Sequence, residues 1–342
     1  MRLLRHHYIE RHTGAICLER LAADRGIHWM YSGLREHAPT LFRVLTGSRT
    51  SHWLGLLNYD LPIAAARIGA LDFLQDGQPQ TDEYVDNVRD FKTLRQWFER
   101  KIRYWECRPM PADPAAVVSP ADARVMVGSF HTQHSLFIKG KFFDYEELLG
   151  ADKMEWLRAF RDGDFAIFRL TPDKYHYNHI PVSGIIKDFY EIQGACHSCN
   201  PNAVVAMVTP FSKNRRVITI IDTDCAGGSG VGLVAMIEIV ALMIGDIVPC
   251  YSAYRYENPA VPYCGMPVKK GQPKSLYRPG SSTTVLVFQK GRCRFCDDIC
   301  ANRRRHNISS RFSAGFGQPL VETDLKVRSL IAWPPEHEGL HS

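Results

Sequence analysis

The sequence predicts an α+β protein in which a β-rich core of mostly antiparallel sheets follows a helical N-terminal region. In residues 1 to about 105, apolar side chains recur at helical spacing, as in residues 28–34 and 40–45. A proline-rich connector occupies residues 108–114, and beyond it short apolar runs alternate with turns, which is typical of strands. We therefore divide the chain into a helical region, residues 1–105, and a β-rich domain, residues 106–342.

The N-terminal helices are rich in Trp, Leu and Arg, a composition that suits a helix lying in a lipid interface. A helical layer packed on the main domain and a dimer contact are the alternatives. The net charge of +6 suits an anionic partner such as a membrane surface. The basic run at residues 303–306 accompanies no nucleic-acid recognition motif, so nucleic acid is not an expected partner.

Predicted strands of the core include residues 166–170, 217–222 and 285–288. The longest apolar stretch, residues 231–248, contains Glu238 and a turn-forming Gly245-Asp246 pair, so we expect two buried strands there and no membrane span. The N-terminus shows no apolar run of secretory length, and ten cysteines without such a signal favour reduced thiols in the cytosol. Together these features predict a protein that is soluble or peripheral to a membrane.

Three separate segments supply an acid, a base and a hydroxyl in the order of a catalytic triad. Asp122 lies in residues 119–123, His179 in residues 175–184, and Ser282 in a Gly-Ser-Ser-Thr turn before the strand at 285–288. A serine hydroxyl is a poor nucleophile without a base, so His179 would be the base and Asp122 its orienting partner. His176 lies three residues before His179, and for an isolated pair of this kind a structural or metal-binding role would be the default.

Further motifs surround these residues, and the whole set resembles the phosphatidylserine decarboxylase family, pyruvoyl enzymes that cut their own chain. The motifs follow one another in the order of that family: residues 91–101, 137–141 with 146–150, 214–217 with 221–224, and Lys270-Gly271 nine residues before Gly280. Each motif is weak alone, but their joint order is specific, and the resemblance extends from Phe91 through most of the remaining chain.

The resemblance implies that the protein converts phosphatidylserine to phosphatidylethanolamine and carbon dioxide with a covalent pyruvoyl group generated from Ser282. It implies that Asp122, His179 and Ser282 carry out the self-cleavage, while His176 assists decarboxylation or reprotonation. Decarboxylation needs an electron sink, and a pyruvoyl group supplies one without an added cofactor. The implied partners are a phospholipid substrate and the cytoplasmic side of the cell membrane, bound peripherally; a soluble cytoplasmic protein is the alternative.

The spacing from Ser282 to the phenylalanine that ends the next strand matches the family, so the expected cut follows Ser281. It would leave a β chain, residues 1–281, and an α chain, residues 282–342, associated as a heterodimer; further dimerisation stays open. The alternative is a cut after Gly280, with Ser281 as the processed residue.

The chain departs from the family pattern at several positions. Ala123 replaces a glycine after the aspartate, Lys174 and Tyr177 replace an aspartate and an arginine of the histidine segment, and Pro279 precedes the glycine of the cleavage turn. None of these changes removes a triad member. They permit the same chemistry on a soluble amino acid, as in aromatic amino acid decarboxylases, which is our second hypothesis.

Two Cys-x2-Cys pairs, Cys196 with Cys199 and Cys293 with Cys296, are typical of a four-thiolate structural zinc site. Their separation is far longer than a zinc ribbon allows, so the fold would have to bring them together. A third hypothesis is therefore a non-catalytic, zinc-stabilised binding protein with an uncut chain. Residues 291–312, basic and cysteine-containing, are expected to form an insertion or a long loop.

Overall fold

The computed structural model describes residues 4–21, 23–47, 50, 53, 55, 59–60, 81–87, 90–130, 142–207, 209–242, 246–279 and 282–335. Strands and short helices alternate within these ranges, which confirms the α+β class. The strands are β1 (His7–Glu10), β2 (Ile16–Leu18), β3 (Val117–Val118), β4 (Ala123–Ser129), β5 (Asp164–Leu170), β6 (Tyr177–His179), β7 (Gly184–Ile192), β8 (Arg216–Asp222), β9 (Leu233–Val240), β10 (Ile247–Pro249), β11 (Pro267–Val268), β12 (Pro273–Tyr277), β13 (Ser282–Phe288), β14 (Arg294–Phe295), β15 (Glu322–Leu325) and β16 (Leu330–Trp333).

The helices are short, and several begin with a recognisable cap. Thr93 and Gln96 form a capping box at the start of the helix that carries Phe98. The helices are α1 (Asp24–Trp29), which continues through a π-helical turn (Met30–Leu34) into α2 (Arg35–His37), α3 (Pro39–Leu45), α4 (Leu94–Phe98), α5 (Tyr104–Cys107), α6 (Tyr145–Leu149), α7 (Met154–Ala159), α8 (Pro201–Ala206), α9 (Pro210–Lys213), α10 (Asp297–Arg303) and α11 (Arg311–Phe316).

Ten strands form one large sheet in the order β11-β7-β8-β9-β13-β5-β4-β15-β1-β2. All neighbouring pairs in it are antiparallel except β1 with β15. Two three-stranded antiparallel sheets, β10-β12-β6 and β14-β16-β3, share a hydrophobic core with the large sheet. The predicted predominance of antiparallel sheets is confirmed.

The N-terminal region contains strands that the sequence pattern did not predict. Residues 7–18 form β1 and β2, and β1 pairs with β15, so this segment is the edge of the large sheet. Helices do occupy residues 24–45, where Tyr31 and Phe42 pack in one cluster with Leu242. The region is therefore attached to the core by a sheet edge as well as by a helical layer.

The long apolar stretch forms β9 and the start of β10, which confirms two strands in place of a membrane span. In the described part of the chain, no helix is long and apolar enough to cross a membrane. Residues 291–312 are not a long loop, because they contain β14, α10 and the start of α11. Ile299 of α10 is buried in the same core as Cys293, which explains why this basic segment folds.

β13 lies in the middle of the large sheet, and all seven of its residues are buried. Leu286 joins the core cluster that contains Tyr277, whereas Val285 joins the cluster on the opposite face. Because side chains alternate between faces along a strand, Ser282 and Thr284 lie on the same face as Leu286.

The small sheet containing β6 and β12 covers that face of β13. Thr284 Oγ1 donates a hydrogen bond to Asn178 Oδ1 of β6 (3.0 Å). The Tyr277 hydroxyl of β12 donates to the Thr283 carbonyl (2.8 Å). These contacts fix β6 relative to the strand that begins at Ser282.

Candidate active site

Ser282 is the first residue of β13 and pairs with Leu170 of β5 and Val240 of β9. Its side chain is fully buried, and its Oγ has no hydrogen-bond partner among the described residues. Buried polar groups are normally hydrogen-bonded, so an unpaired hydroxyl in the middle of a sheet calls for an explanation. A reacting role for Ser282 supplies one.

The two histidines of the β6 segment pack against different aromatic side chains. Asn178 points toward β13, where it meets Thr284. His176 lies just before β6, and its ring stacks on Phe98 with the ring centroids 3.5 Å apart. The ring of His179 meets Tyr104 edge-on with the ring centroids 4.7 Å apart.

His176 is fully buried, and its neighbours determine which ring nitrogen carries the proton. Its carbonyl accepts a hydrogen bond from the Tyr277 amide (3.0 Å), which places it beside β12. Its Nδ1 lies 2.7 Å from the Lys174 carbonyl, so Nδ1 carries the proton in the neutral ring. Nε2 then holds the lone pair and has no hydrogen-bond partner among the described residues. Burial beneath the stacked Phe98, helped by the nearby Arg100, lowers the pKa of His176 to about 3.

Both ring nitrogens of His179 are occupied. Nδ1 lies 2.9 Å from the Gly271 carbonyl, to which it must donate, and Nε2 lies 3.0 Å from the Tyr175 hydroxyl. Tyr175 in turn lies 2.7 Å from the Tyr256 hydroxyl. Gly271 has φ +76°, and a Cβ there would stand 2.4 Å from Met110 Sδ, so the position requires glycine. Burial lowers the pKa of His179 to about 3, which keeps the ring neutral at pH 7.

Asp122 is buried and held by a bidentate pair with Arg108, at 3.1 Å to Nε and 2.8 Å to a terminal nitrogen. It also accepts a hydrogen bond from the Val327 amide (2.8 Å). Burial alone would raise the pKa of Asp122, but the charge and hydrogen bonds of Arg108 outweigh it and bring the pKa to about 2. The carboxylate is therefore ionised, and its charge acts on His179 by raising the pKa of that ring against the effect of burial.

The structure brings the three predicted segments together but does not link the three side chains into a hydrogen-bonded chain. Within the described residues, Asp122 and His179 share no hydrogen bond, and Ser282 bonds to neither. Gly280 and Ser281 lie outside the described residues, so the choice between the two cleavage positions stays a prediction. The role of each triad member also stays a prediction.

A buried polar network between β6, β9 and β12 escaped the sequence analysis. Glu238 accepts hydrogen bonds from Asn178 (2.9 Å), Lys274 and Ser275, and all four side chains are buried. The isolated Glu238 in an apolar run was the available signal, because a charge on a buried strand needs partners. The partners of Glu238 are distant in sequence, so the sequence pattern could not identify them.

The four cysteines of the zinc prediction do not converge. Cys196 clusters with Val240, and Cys293 belongs to the separate core cluster against which Cys296 packs. Zinc therefore finds no support in the structure. In the ranges that the structure describes, the side chains whose ligand atoms do meet are His6, Glu19 and Glu322, all buried.

That trio is already neutralised by arginine. Arg169 donates to both carboxylates, at 2.9 and 2.6 Å to Glu19 and 2.9 and 2.5 Å to Glu322, and Arg124 pairs with Glu19 as well. His6 lies 2.9 Å from Glu322. Two cations beside two carboxylates leave little attraction for a metal, so we interpret the cluster as the ionic link between the N-terminal strands and the large sheet.

A cavity of about 100 Å³ lies at the end of the sheet where Ser282 begins β13. Leu170, the strand partner of Ser282, is part of its wall, together with Leu242. Ile27 and Tyr59 of the N-terminal region complete the apolar side. The N-terminal region therefore lines a cavity that reaches Leu170, the strand partner of Ser282.

Comparison with known proteins extends the resemblance to most of the chain. A family model described as phosphatidylserine decarboxylase matches residues 94–314, which include every candidate catalytic residue. A phosphatidylserine decarboxylase proenzyme of Fusobacterium nucleatum is 29% identical over 313 residues, covering 90% of this chain and 95% of that protein.

Two further relatives come from distant organisms. Phosphatidylserine decarboxylase proenzyme 2 of Oryza sativa is 34% identical over 250 residues, which are 72% of this chain and 37% of that longer protein. A phosphatidylserine decarboxylase proenzyme of Vibrio cholerae is 30% identical over 251 residues, which are 69% of this chain and 86% of that protein. By the extent of these matches, the chain belongs to the phosphatidylserine decarboxylase family.

Proposed function

We propose that the protein is a phosphatidylserine decarboxylase that makes its own pyruvoyl group from Ser282. The observation that carries the proposal is the Thr284–Asn178 hydrogen bond between β13 and β6. Thr284 is two residues from Ser282, and Asn178 lies between His176 and His179. Since a strand advances about 3.3 Å per residue, the bond holds the serine segment and both histidines in one small region.

The proposed cut proceeds by attack of Ser282 Oγ on the carbonyl carbon of Ser281. The C–N bond of that peptide breaks, an ester forms, and the serine proton passes to the freed amine by way of a base. Loss of the Ser282 α-proton then breaks the Cβ–O bond and releases the Ser281 carboxylate. Addition of water and loss of ammonia leave the ketone at residue 282. The free, buried hydroxyl of Ser282 suits this sequence, because no hydrogen bond to a described residue must be broken first.

The triad supplies the base in this proposal. His179 is neutral, and its Nδ1 is fixed on the Gly271 carbonyl, so Nε2 is the nitrogen that can accept a proton. Tyr175 occupies Nε2 in this structure, so the serine proton reaches it only after that hydrogen bond exchanges. The ionised Asp122 would stabilise the charged ring through its field, without a direct hydrogen bond.

His176 is the better placed group for the decarboxylation itself. Its Nε2 is buried and has no hydrogen-bond partner among the described residues, so it is available to take up or deliver a proton. When present, the pyruvoyl group supplies a carbonyl that takes up the electron pair left by carbon dioxide. His176 would hold or deliver the proton that replaces the lost carboxyl group.

The substrate assignment rests on the family and on the N-terminal surface. Trp29, Leu41, Val44 and Trp53 expose 60, 49, 54 and 66% of their surface. Exposed Trp beside aliphatic side chains is what a protein bound peripherally to a bilayer presents at headgroup depth. We propose a peripheral position on the cytoplasmic side of the membrane, where the protein would meet phosphatidylserine.

The first test is the intact mass of the denatured protein beside a Ser282→Ala variant. We expect the wild type to give two fragments, the smaller one beginning with a blocked residue 282, and the variant to stay a single chain of 38.9 kDa. Ser281→Ala is the matched control and should be cut like the wild type. A smaller fragment beginning at 281 would move the site by one residue, and an uncut wild type would exclude the pyruvoyl mechanism.

The membrane assignment is tested by sedimentation with vesicles that contain phosphatidylserine. Replacing Trp29 and Trp53 by serine should weaken binding at least roughly tenfold, because each buried apolar side chain contributes about 1.5–3 kcal/mol. Val261→Ser is the control, since Val261 is 79% exposed in a different part of the chain. Equal binding of all three proteins would contradict the N-terminal surface as the membrane contact, and turnover of free amino acids in place of vesicles would favour the soluble substrate.

A further inference from the structure

The first residues of β13 make side-chain contacts that the proposed chemistry does not use. We propose that Tyr277, Asn178 and Thr284 form a clamp that holds residues 282–284, the new N-terminus of the α chain, against β6 and β12 once the link to Ser281 is lost. The inference rests on the proposed function, because it presupposes a cut before Ser282.

Tyr277 connects β13 to β9 at the second residue of the new chain. Its hydroxyl donates to the Thr283 carbonyl (2.8 Å) and accepts from the Ile239 amide (3.1 Å). Thr283 and Ile239 face each other across the two strands, so the phenol bridges a single rung of the sheet. Tyr277 is fully buried and lies on the β-chain side of the proposed cut. The contact therefore survives loss of the peptide link.

Asn178 contacts Thr284, the third residue of the new chain, and hydrogen bonds fix the orientation of the Asn178 amide. Its Nδ2 donates to Glu238 Oε1 (2.9 Å), so the amide oxygen faces Thr284. Lys274 pairs with Glu238 in the same buried site, which holds the carboxylate in place. Thr284 Oγ1 then donates to Asn178 Oδ1 (3.0 Å). The acceptor for Thr284 is thus set before the cut and does not depend on it.

A chain terminus normally frays, because its last backbone hydrogen bonds exchange readily with water. In the proposed chemistry, the terminal residue must keep a fixed place relative to the histidine segment. Asn178 and Tyr277 belong to β6 and β12, the small sheet that carries the histidine segment. By holding residues 283 and 284, they position residue 282 relative to this small sheet as well as within the large sheet. Thr284 and Tyr277 are accordingly positioning residues, and neither needs to touch the substrate.

The test compares Thr284→Val, which keeps the shape and removes the donor, with Thr284→Ser, which keeps the donor. Each precursor is made by cell-free translation, and its cleavage is followed by intact mass. We expect Thr284→Val to cleave at least tenfold more slowly than the wild type and Thr284→Ser within about threefold of it. Thr323→Val is the matched control, because Thr323 is a buried threonine of the same sheet whose hydroxyl has no hydrogen-bond partner among the described residues.

The processed fraction of each protein is then assayed for decarboxylation of phosphatidylserine in vesicles. We expect Thr284→Val to lower kcat with KM unchanged, since the clamp positions the reacting end and does not bind lipid. Wild-type rates in Thr284→Val, or equal impairment of the Ser and Val variants, would overturn the clamp. If Thr284→Val gives no cooperative thermal transition, Tyr277→Phe decides: slowed cleavage supports the clamp and a wild-type rate overturns it. An uncut wild type would instead overturn the proposed function, so the two failures are distinct.

Discussion

At the scale of single residues, burial of His179 determines the pH range in which it can act as a base. Burial lowers the pKa of His179 to about 3, whereas an exposed histidine titrates near 6.5. A lowered pKa keeps the ring neutral, and so able to accept a proton, well below neutral pH. The lowered pKa also makes His179 a weaker base. The nearby carboxylate of Asp122 and the fixed geometry of the ring offset this loss of basicity.

We therefore expect the self-cleavage rate to change less than about twofold between pH 8 and 5.5. A histidine of ordinary pKa would be about nine-tenths protonated at pH 5.5 and would slow the reaction about tenfold. The measurement is the intact mass of freshly translated precursor over time at each pH, with circular dichroism to show that the fold persists. A tenfold loss of rate by pH 5.5 would exclude a low pKa for the base.

Asp122 shows how a candidate catalytic residue can also be structural. Asp122→Asn leaves the buried guanidinium of Arg108 with Glu83 (3.0 Å) as its remaining carboxylate, so we expect a loss of about 3 kcal/mol in the free energy of unfolding. Asp298→Asn, at a partly exposed pair with Arg11, should cost less than about 1 kcal/mol. Urea unfolding of both variants measures the difference. Equal stabilities would show that the Asp122–Arg108 pair contributes no more than a surface pair.

At the scale of elements, β13 is the strand on which both the chemistry and the assembly of the cut protein depend. Every one of its seven residues pairs with β5 on one side and with β9 on the other. Residues 285–288 are fully buried, two on each face of the sheet. Breaking one peptide bond before Ser282 removes none of these contacts.

The two fragments should therefore stay together under native conditions. We expect native mass spectrometry to give a complex that contains both fragments, with a mass near 38.9 kDa for each pair, and denaturing conditions to give two chains. The uncut Ser282→Ala protein should have the same elution volume on size exclusion. Separation of the 61-residue fragment, residues 282–342, without denaturant would show that β13 is held less firmly than its pairing indicates.

Elements with strong local patterns were predictable, and those defined by distant partners were not. The predicted strand at 285–288 is the end of β13, and that at 217–222 lies within β8, because buried strands give continuous apolar runs. β1 and β2 were missed, because they are only four and three residues long and β15, which joins them to the large sheet, is more than 300 residues away. The candidate site shows the same limit: the residue types of the triad were visible, but the Gly271 carbonyl that orients His179 is a backbone atom and leaves no mark in the sequence.

At the scale of the whole molecule, the polar groups of the core are concentrated where the N-terminal region and the small sheet meet the large sheet. His6, Glu19 and Arg169 join the N-terminal strands to the centre, and Lys274 with Glu238 joins the small sheet to β9. Buried ion pairs are costly unless each charge keeps its partner, so these links favour one arrangement of the layers over others. They also make the folded state sensitive to acid.

Three of the buried histidines make that sensitivity testable. Burial lowers the pKa of His176 and of His179 to about 3 and that of His197 to about 4. Between about pH 4.5 and 6 the unfolded chain binds a proton at each position and the folded protein does not, so stability rises with pH in this window and is lost as pH falls. Each histidine contributes a slope of at most about 1.4 kcal/mol per pH unit, or about 4 kcal/mol per unit for the three.

Urea unfolding at half-unit pH steps measures this slope on the intact Ser282→Ala chain, which avoids dissociation of fragments. His197→Gln should reduce the slope by about one third, because His197 packs between Tyr31 and Phe42, away from the serine, and titrates independently of the other two. A free energy of unfolding that stays constant from pH 6.5 to 4.5 would mean that the buried rings take up protons without unfolding. In that case His179 would be charged in the folded protein at mildly acidic pH, and the flat cleavage profile expected for a neutral base would fail in the same experiment series.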